Sequence, residues 1–165
     1  MRAAILTVSD AGSRGERTDT SGDAAAELLA SIGAAVSRRE IVPDERESIA
    51  GTLRAWADGG DVDLILTTGG TGLAARDVTP EATLEVAERV APGIAEAMRA
   101  EGLRHTPRAM LSRAVAVVRG RALIINLPGS EKGVRESLGA VLGVLPHAVE
   151  LLRGQTEHPP GGGTP

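Results

Sequence analysis

Three short runs of the chain, residues 3–8, 62–67 and 122–127, are apolar almost from end to end. A strand with one wet face alternates apolar and polar residues, whereas a run without alternation must be covered on both faces. Coverage on both faces requires helices on either side of a sheet, and the sequence between the runs supplies them. Ala25, Leu28, Leu29 and Ile32 form a helical stripe behind a candidate cap at Ser21, with Gly33 as the stop. Asp44-x-x-Glu47 is a capping-box pattern ahead of Ile49, Leu53 and Trp56, and Gly59-Gly60 closes that helix. Thr79 at the N-cap and Pro80 at the first position open another helix, which Ala91-Pro92-Gly93 breaks before a further helix to about Gly102. Val134, Leu138, Val141, Leu142 and Leu145 mark a last helix, interrupted near Pro146. Residues 34–42 read as a more polar strand nearer an edge, residues 114–118 as a further strand, and residues 10–20 as a loop. The pattern predicts a single-domain, three-layer α/β fold over residues 1–154, with a mostly parallel sheet flanked by helices. Residues 155–165, rich in Pro and Gly, are expected to be a disordered tail.

Composition narrows the function classes. The 165 residues include 18 Lys or Arg and 22 Asp or Glu, a net charge of −4. A mildly acidic chain lacks the basic footprint of a nucleic-acid binder. Trp56 is the single aromatic residue, so no platform exists on which successive bases could stack, and Ala, Val, Leu and Ile must build the core. With no cysteine, disulfides, thiolate metal sites and Cys nucleophiles are excluded. The apolar stretch behind Met1 is too short for a signal peptide, and no window approaches the roughly 18 apolar residues of a membrane span. A cytoplasmic protein is expected, with neither nucleic acid nor membrane as a partner.

Ligands of open α/β sheets bind beyond the carboxyl ends of the strands, where the strand order switches. Three strand exits here are polar and glycine-rich: Ser9-Asp10, the stretch from Thr67 through Thr68, Gly69, Gly70 and Thr71 to Gly72, and Asn126 through Pro128, Gly129 and Ser130. They are expected to line one pocket. Glycines let a backbone approach a phosphate and turn N–H groups toward it; a plain strand-to-helix turn has the same composition, and both readings stay open. The loop is no Walker loop. Gly70-Thr-Gly-Leu-Ala-Ala75 fits a relaxed dinucleotide fingerprint only loosely, because Pro80 sets the helix start well beyond the glycines. Asp44 and Asp77 are the candidate acids, since carboxylates beside a phosphate loop hold Mg²⁺. Asp44 also stands where a helix N-cap belongs, and Asp77 can pair with Arg76 or close an Asx turn. Ser112-Arg113 can bind an anion or lie as a solvated pair. His105, His147 and His158 lack metal-ligand spacing; His147 reads as a helix-face residue and Arg38-Arg-Glu40 as a solvated strand edge.

Thr7-Val-Ser-Asp10, Asp19-Thr-Ser-Gly22, Val42-Pro-Asp-Glu45, Thr68-Gly-Gly-Thr-Gly72, Arg76-Asp-Val-Thr-Pro-Glu-Ala-Thr83, Pro107 with Ala109-Met-Leu-Ser-Arg113, and Asn126-Leu-Pro-Gly-Ser130 follow one another in order. This set resembles the MogA/MoaB family of molybdenum cofactor biosynthesis proteins. It is also similar to the adenylyltransferase domains of the plant molybdenum insertase and of gephyrin. The likeness spans about residues 3–154, and the stretch from Arg76 to Thr83 is its most specific part. Ala75 departs from the proline that many relatives carry at that place.

The resemblance implies an α/β fold and a reaction. The terminal phosphate of molybdopterin attacks the α-phosphorus of Mg·ATP, giving adenylylated molybdopterin and pyrophosphate. It implies Asp44 and Asp77 as catalytic carboxylates and Mg²⁺ ligands. Nucleotide and pterin contacts would come from Ser9, Asp10, Ser21, Gly22, the residues from Thr68 to Gly72, Ser112, Asn126, Pro128, Gly129 and Ser130. Ser112 matches a position linked to pterin handling, and Asn126 and Ser130 are suited to bonding a ribose or pterin edge. With no other aromatic side chain, aliphatic packing or Trp56 must cover the heterocycles, although the stripe that holds Trp56 reads as core. The implied assembly is a homotrimer, in some members a hexamer, with a downstream molybdenum insertase as a partner. The alternative is a non-catalytic molybdopterin-binding or scaffold protein; a nucleotide hydrolase on the same fold is a third reading.

Overall fold

The three apolar runs become adjacent strands. In the computed structural model, which describes residues 1–155, the strands are β1 (Arg2–Val8), β2 (Ala35–Val42), β3 (Leu64–Thr68), β4 (Arg89–Val90), β5 (Ala116–Arg119) and β6 (Ala122–Leu127). They form one sheet in the order β2-β1-β3-β6-β5-β4. The first four strands in that order run parallel, with Ala3 opposite Leu64 and Leu64 opposite Leu123. β5 returns antiparallel to β6, and β4 pairs antiparallel with β5. The expected mostly parallel α/β sheet is therefore present. The strand order reverses between β1 and β3, so the exits of β1, β3 and β6 open at one end of the sheet, the place where such sheets bind ligands.

Helices cover both faces: α1 (Asp10–Ser13), α2 (Thr20–Ser31), α3 (Arg46–Asp58), α4 (Thr79–Val86), α5 (Pro92–His105), α6 (Glu131–Val141) and α7 (Leu145–Leu152). Successive strand residues alternate between two cores. Ala3, Ile5, Leu64, Leu66, Leu123 and Ile125 point to one, with residues of α2, α5, α6 and α7. Ala4, Leu6, Val8, Ile65, Val117 and Ile124 point to the other, with α3 and α4. Continuous apolar strands follow directly from this double burial. Trp56 lies in the second core, 6% exposed, which removes it as a stacking platform for a heterocycle.

Several local readings are corrected. The loop after β1 contains the one-turn helix α1, capped by Ser9, whose Oγ accepts the Gly12 N–H at 3.0 Å. Asp19, not Ser21, caps α2 and accepts the Gly22 N–H at 2.9 Å. The helix α3 starts at Arg46 behind Glu45, which makes no side-chain cap bond, so the capping-box reading of Asp44 and Glu47 fails. Thr79 is the first residue of α4 rather than its cap, and its hydroxyl donates to the Gly69 carbonyl at 2.9 Å. The last helix is two helices joined by a 3-10 turn over Leu142–Val144. The two-residue β4 is too short to leave a pattern in sequence. The expected tail, from residue 156 on, lies outside the described residues. Among the described residues no helix is long and apolar enough to cross a membrane.

Candidate active site

The glycine loop leaves β3 through two positive-φ residues, Gly69 at 93° and Gly70 at 67°. Both must be glycine for a second reason. A Cβ on Gly69 would run into the Val8 carbonyl, and one on Gly70 into the Thr79 hydroxyl. The amides of Gly70, Thr71 and Gly72 donate to no protein acceptor among the described residues. Gly129 packs beside Gly69, where an added Cβ would lie 3.2 Å from the Gly69 Cα. The β3 and β6 exits are thus in backbone contact, and free N–H groups line the seam, an arrangement suited to phosphate oxygens.

Asp44 and Asp10 join the third exit to this seam. The Asp44 Oδ2 accepts the Asp10 N–H at 2.8 Å, and the Asp10 Oδ1 accepts the Asp44 N–H at 3.0 Å. Arg76 forks onto the Asp10 carboxylate from the glycine-loop side, at 3.0 and 2.7 Å, and holds Asp10 below the usual aspartate range. The other Asp44 oxygen faces Gly70. Burial pushes the Asp44 carboxyl above the usual range; the Asp10 N–H opposes this, while the charges of Asp10 and Asp77 add to it. The Asp77 carboxylate reaches back to accept the N–H of Ala74, at 2.9 Å, instead of closing an Asx turn onto the residues that follow it, and it lies against Gly72. The expected Arg76–Asp77 pair does not form, because Arg76 is engaged by Asp10.

Beneath β1 and β3, Asp19 organises a ring of hydroxyls. It accepts Thr7 Oγ1 at 2.7 Å, Ser21 Oγ at 3.2 Å and Arg39 Nη2 at 3.1 Å, and Ser21 meets Thr68 Oγ1 at 3.0 Å. Burial alone would raise this carboxyl; the bonds from Thr7, Gly22, Arg39 and Ser21 outweigh it and hold the carboxyl below the usual range. Ser21 therefore supports Thr68 instead of capping its helix. Asp19 belongs to the site neighbourhood and was not among the candidate residues. Its signal was present, since an Asp two residues before a Ser at a helix start is a common cap.

Asn126 is completely buried, and its two amide hydrogens go to Thr67 at 3.0 Å and Thr83 at 2.8 Å. The expected bond from Asn126 to a ribose or pterin edge has no free donor; the side chain instead locks β3, β6 and α4 together. Ser130 caps α6 by accepting the Gly133 N–H at 3.1 Å. Ser112 and Arg113 do not form an anion-binding pair. The Ser112 hydroxyl accepts the Ala114 N–H at 3.3 Å. Arg113 turns to the opposite side, where it binds the Gly72 and Asp77 carbonyls and the Glu81 carboxylate.

Two cavities meet at the glycine loop. A polar one of about 220 Å³ is bounded by Ser9, Asp19, Ser21, Asp44, Gly69 and Gly70. A more apolar one of about 340 Å³ has Thr71, Met98, Leu111, Ser112, Pro128 and Ser130 in its wall, with Arg99, Arg108 and Lys132 as cations around it. One loop thus divides a polar, carboxylate-bearing chamber from a larger and more apolar one.

The family model described as a probable molybdopterin binding domain matches residues 4–147. The chain belongs to this molybdopterin-binding domain family. Within it, the molybdopterin adenylyltransferase of Helicobacter pylori strain J99 is 44% identical over 152 residues, covering 91% of this chain and 86% of the relative. The molybdopterin adenylyltransferase of Escherichia coli K12 is 40% identical over 168 residues, covering 93% and 86%. The solved structure of the molybdopterin biosynthesis enzyme MoaB from Thermus thermophilus superposes with a TM-score of 0.88 at 61% identity, covering 93% of this chain and 96% of that one. Membership in the molybdopterin-binding family agrees with the resemblance seen in the motifs. The motif residues from the three strand exits converge on the seam between the two cavities.

Proposed function

We propose that this chain catalyses the adenylylation of molybdopterin by ATP, with release of pyrophosphate, as a step of molybdenum cofactor biosynthesis. The carrying observation is the glycine loop, which sets the polar chamber of Asp44 directly against the larger, more apolar chamber of Ser112. A nucleotide and a pterin seated on either side meet at one phosphorus beside Gly70 and Thr71. Relatives named molybdopterin adenylyltransferase, at 40–44% identity over most of the chain, support the reading.

In this reading the pterin lies in the larger cavity and its terminal phosphate points to the loop. A phosphate oxygen attacks the α-phosphorus in line; the new O–P bond forms as the bond to pyrophosphate breaks. Such transfers need positioning and charge neutralisation more than covalent help from the protein. The Gly70, Thr71 and Gly72 amides supply oriented donors at no reorganisation cost. Asp44 and Asp77 would hold Mg²⁺; their chemistry suits it, as two carboxylates beside the glycine loop, one with an oxygen facing Gly70 and one lying against Gly72. Mg²⁺ takes one or two protein carboxylates and completes its shell with phosphate oxygens and water. The ion would neutralise phosphate charge as pyrophosphate leaves. Arg76 and Asp10 keep Asp44 oriented toward Gly70.

Pyrophosphate release that requires both ATP and molybdopterin is the expected result. Pterin binding without release would instead establish the non-catalytic scaffold, and release with ATP alone a hydrolase. The proposed assembly is a homotrimer in the cytoplasm, so light scattering should return three times the 16.9 kDa chain mass, or six times for a hexamer. A downstream insertase as partner is supported by Drosophila cinnamon. That relative is 42% identical over 149 residues, yet the match covers only 25% of it, so the same domain is joined there to further sequence.

A further inference from the structure

We propose that Arg113 is a positioning residue for this reaction: it fixes the loop from Gly72 to Asp77, and with it the Asp77 carboxylate, without touching either substrate. The inference rests on the adenylylation reading for its kinetic consequence and on the geometry alone for its structural one. Arg113 closes both ends of the loop. Its own N–H donates to the Thr71 carbonyl at 2.9 Å, Nε to the Gly72 carbonyl at 2.7 Å, and Nη2 to the Asp77 carbonyl at 2.6 Å. The remaining N–H groups engage Glu81, in the first turn of α4. The segment between has no apolar anchor: Leu73 is 66% exposed, and Ala74, Ala75 and Arg76 are exposed as well. Asp77 stands within electrostatic reach of Asp44. Arg113 itself borders neither cavity. Only a planar fork can span two carbonyls and a carboxylate at once; an ammonium in its place could keep the Glu81 pair but not the span.

The test compares wild type with Arg113→Lys at 25 °C by three readouts: fold by circular dichroism, amide hydrogen exchange, and pyrophosphate release. The informative amides are those of Asp77 and Thr79, which donate to the Ala74 and Gly70 carbonyls. Both should exchange at least about tenfold faster in the variant, while α2 amides are unchanged. A loop displaced by about 1 Å should lower kcat by about 100-fold. The KM for molybdopterin should change less than kcat, because the pterin chamber meets this loop at Thr71 and Gly72 and not at Leu73 to Asp77. Unchanged exchange at Asp77 and Thr79 overturns the positioning role, as does near-wild-type kcat. Failure of wild type to release pyrophosphate would sink the adenylylation reading, yet amide exchange would still decide the role of Arg113. If Arg113→Lys does not fold, Glu81→Gln takes its place. It removes the charge that orients the guanidinium, so the same amides should loosen to a smaller degree, and no loosening overturns the proposal.

Discussion

Asp10 and Asp44, on different strand exits, each accept the other's backbone N–H through a carboxylate oxygen. This reciprocal pair sets the direction of Asp44, which precedes α3, and leaves one carboxylate oxygen facing Gly70. The orientation and the charge of Asp44 are therefore separable by substitution.

Asp44→Asn keeps an acceptor for the Asp10 N–H and loses only the charge. Its stability should fall by no more than about 1 kcal/mol, the usual worth of one hydrogen bond, while pyrophosphate release falls by orders of magnitude. Asp44→Ala should lose both. Melting temperature and turnover of the two variants check this; an active Asn variant would remove Asp44 from the catalytic list.

The acid side of the pH profile follows from the same residue. Its carboxyl sits above the ordinary aspartate value of 3.8, because burial and like charges disfavour ionisation. A raised folded-state value means that this group favours the fold at low pH and disfavours it once pH rises through the unfolded value. Activity has the opposite sign, since only the ionised form can serve the phosphate site. The acidic limb of kcat/KM should thus lie above 3.8 and move to lower pH as Mg²⁺ is raised. Asp19 behaves conversely. Its lowered carboxyl stabilises the fold above the unfolded value, and that stability is lost as pH falls through the folded value, below 3.8.

Asp77→Ala tests the second acid. The side chain is bonded only to the Ala74 N–H in an otherwise exposed loop, so the variant should melt close to wild type, within about 1 kcal/mol. Turnover should drop by orders of magnitude. Full turnover would leave Asp77 as a turn residue alone.

Gly70→Ala should be among the more damaging single changes outside the cores. It combines a positive φ with a collision at Thr79. Strain of this kind costs about 1–3 kcal/mol, visible as a lower melting temperature, and the variant should also lose the thermal shift produced by Mg·ATP. In wild type that shift should reach about 2.7 kcal/mol at a ligand excess of 100 Kd.

The layers were legible because double burial writes itself as unbroken apolar strands, as in residues 3–8. The site was legible as three polar, glycine-rich exits brought together by strand order. Individual roles were less so. Asp44 looked like a cap because the spacing to Glu47 is local, whereas its partner, Asp10, is thirty-four residues away. Asn126 looked like a ligand contact because sequence shows its polarity but not that Thr67 and Thr83 absorb it. Arg113 looked like a surface cation because the carbonyls it spans carry no sequence signature at all.

Trp56, the single aromatic side chain, sits on α3 within the second core. Its emission is therefore uncontaminated by tyrosine, and there is no tyrosine donor to excite it by energy transfer. Unfolding of the layer formed by α3 and α4 can be followed at one indole, 6% exposed in the fold, and should appear as a red shift. Neither cavity includes this residue. Ligand binding should then leave the emission maximum in place while raising the temperature at which it shifts, so one optical signal reports global melting separately from local occupancy.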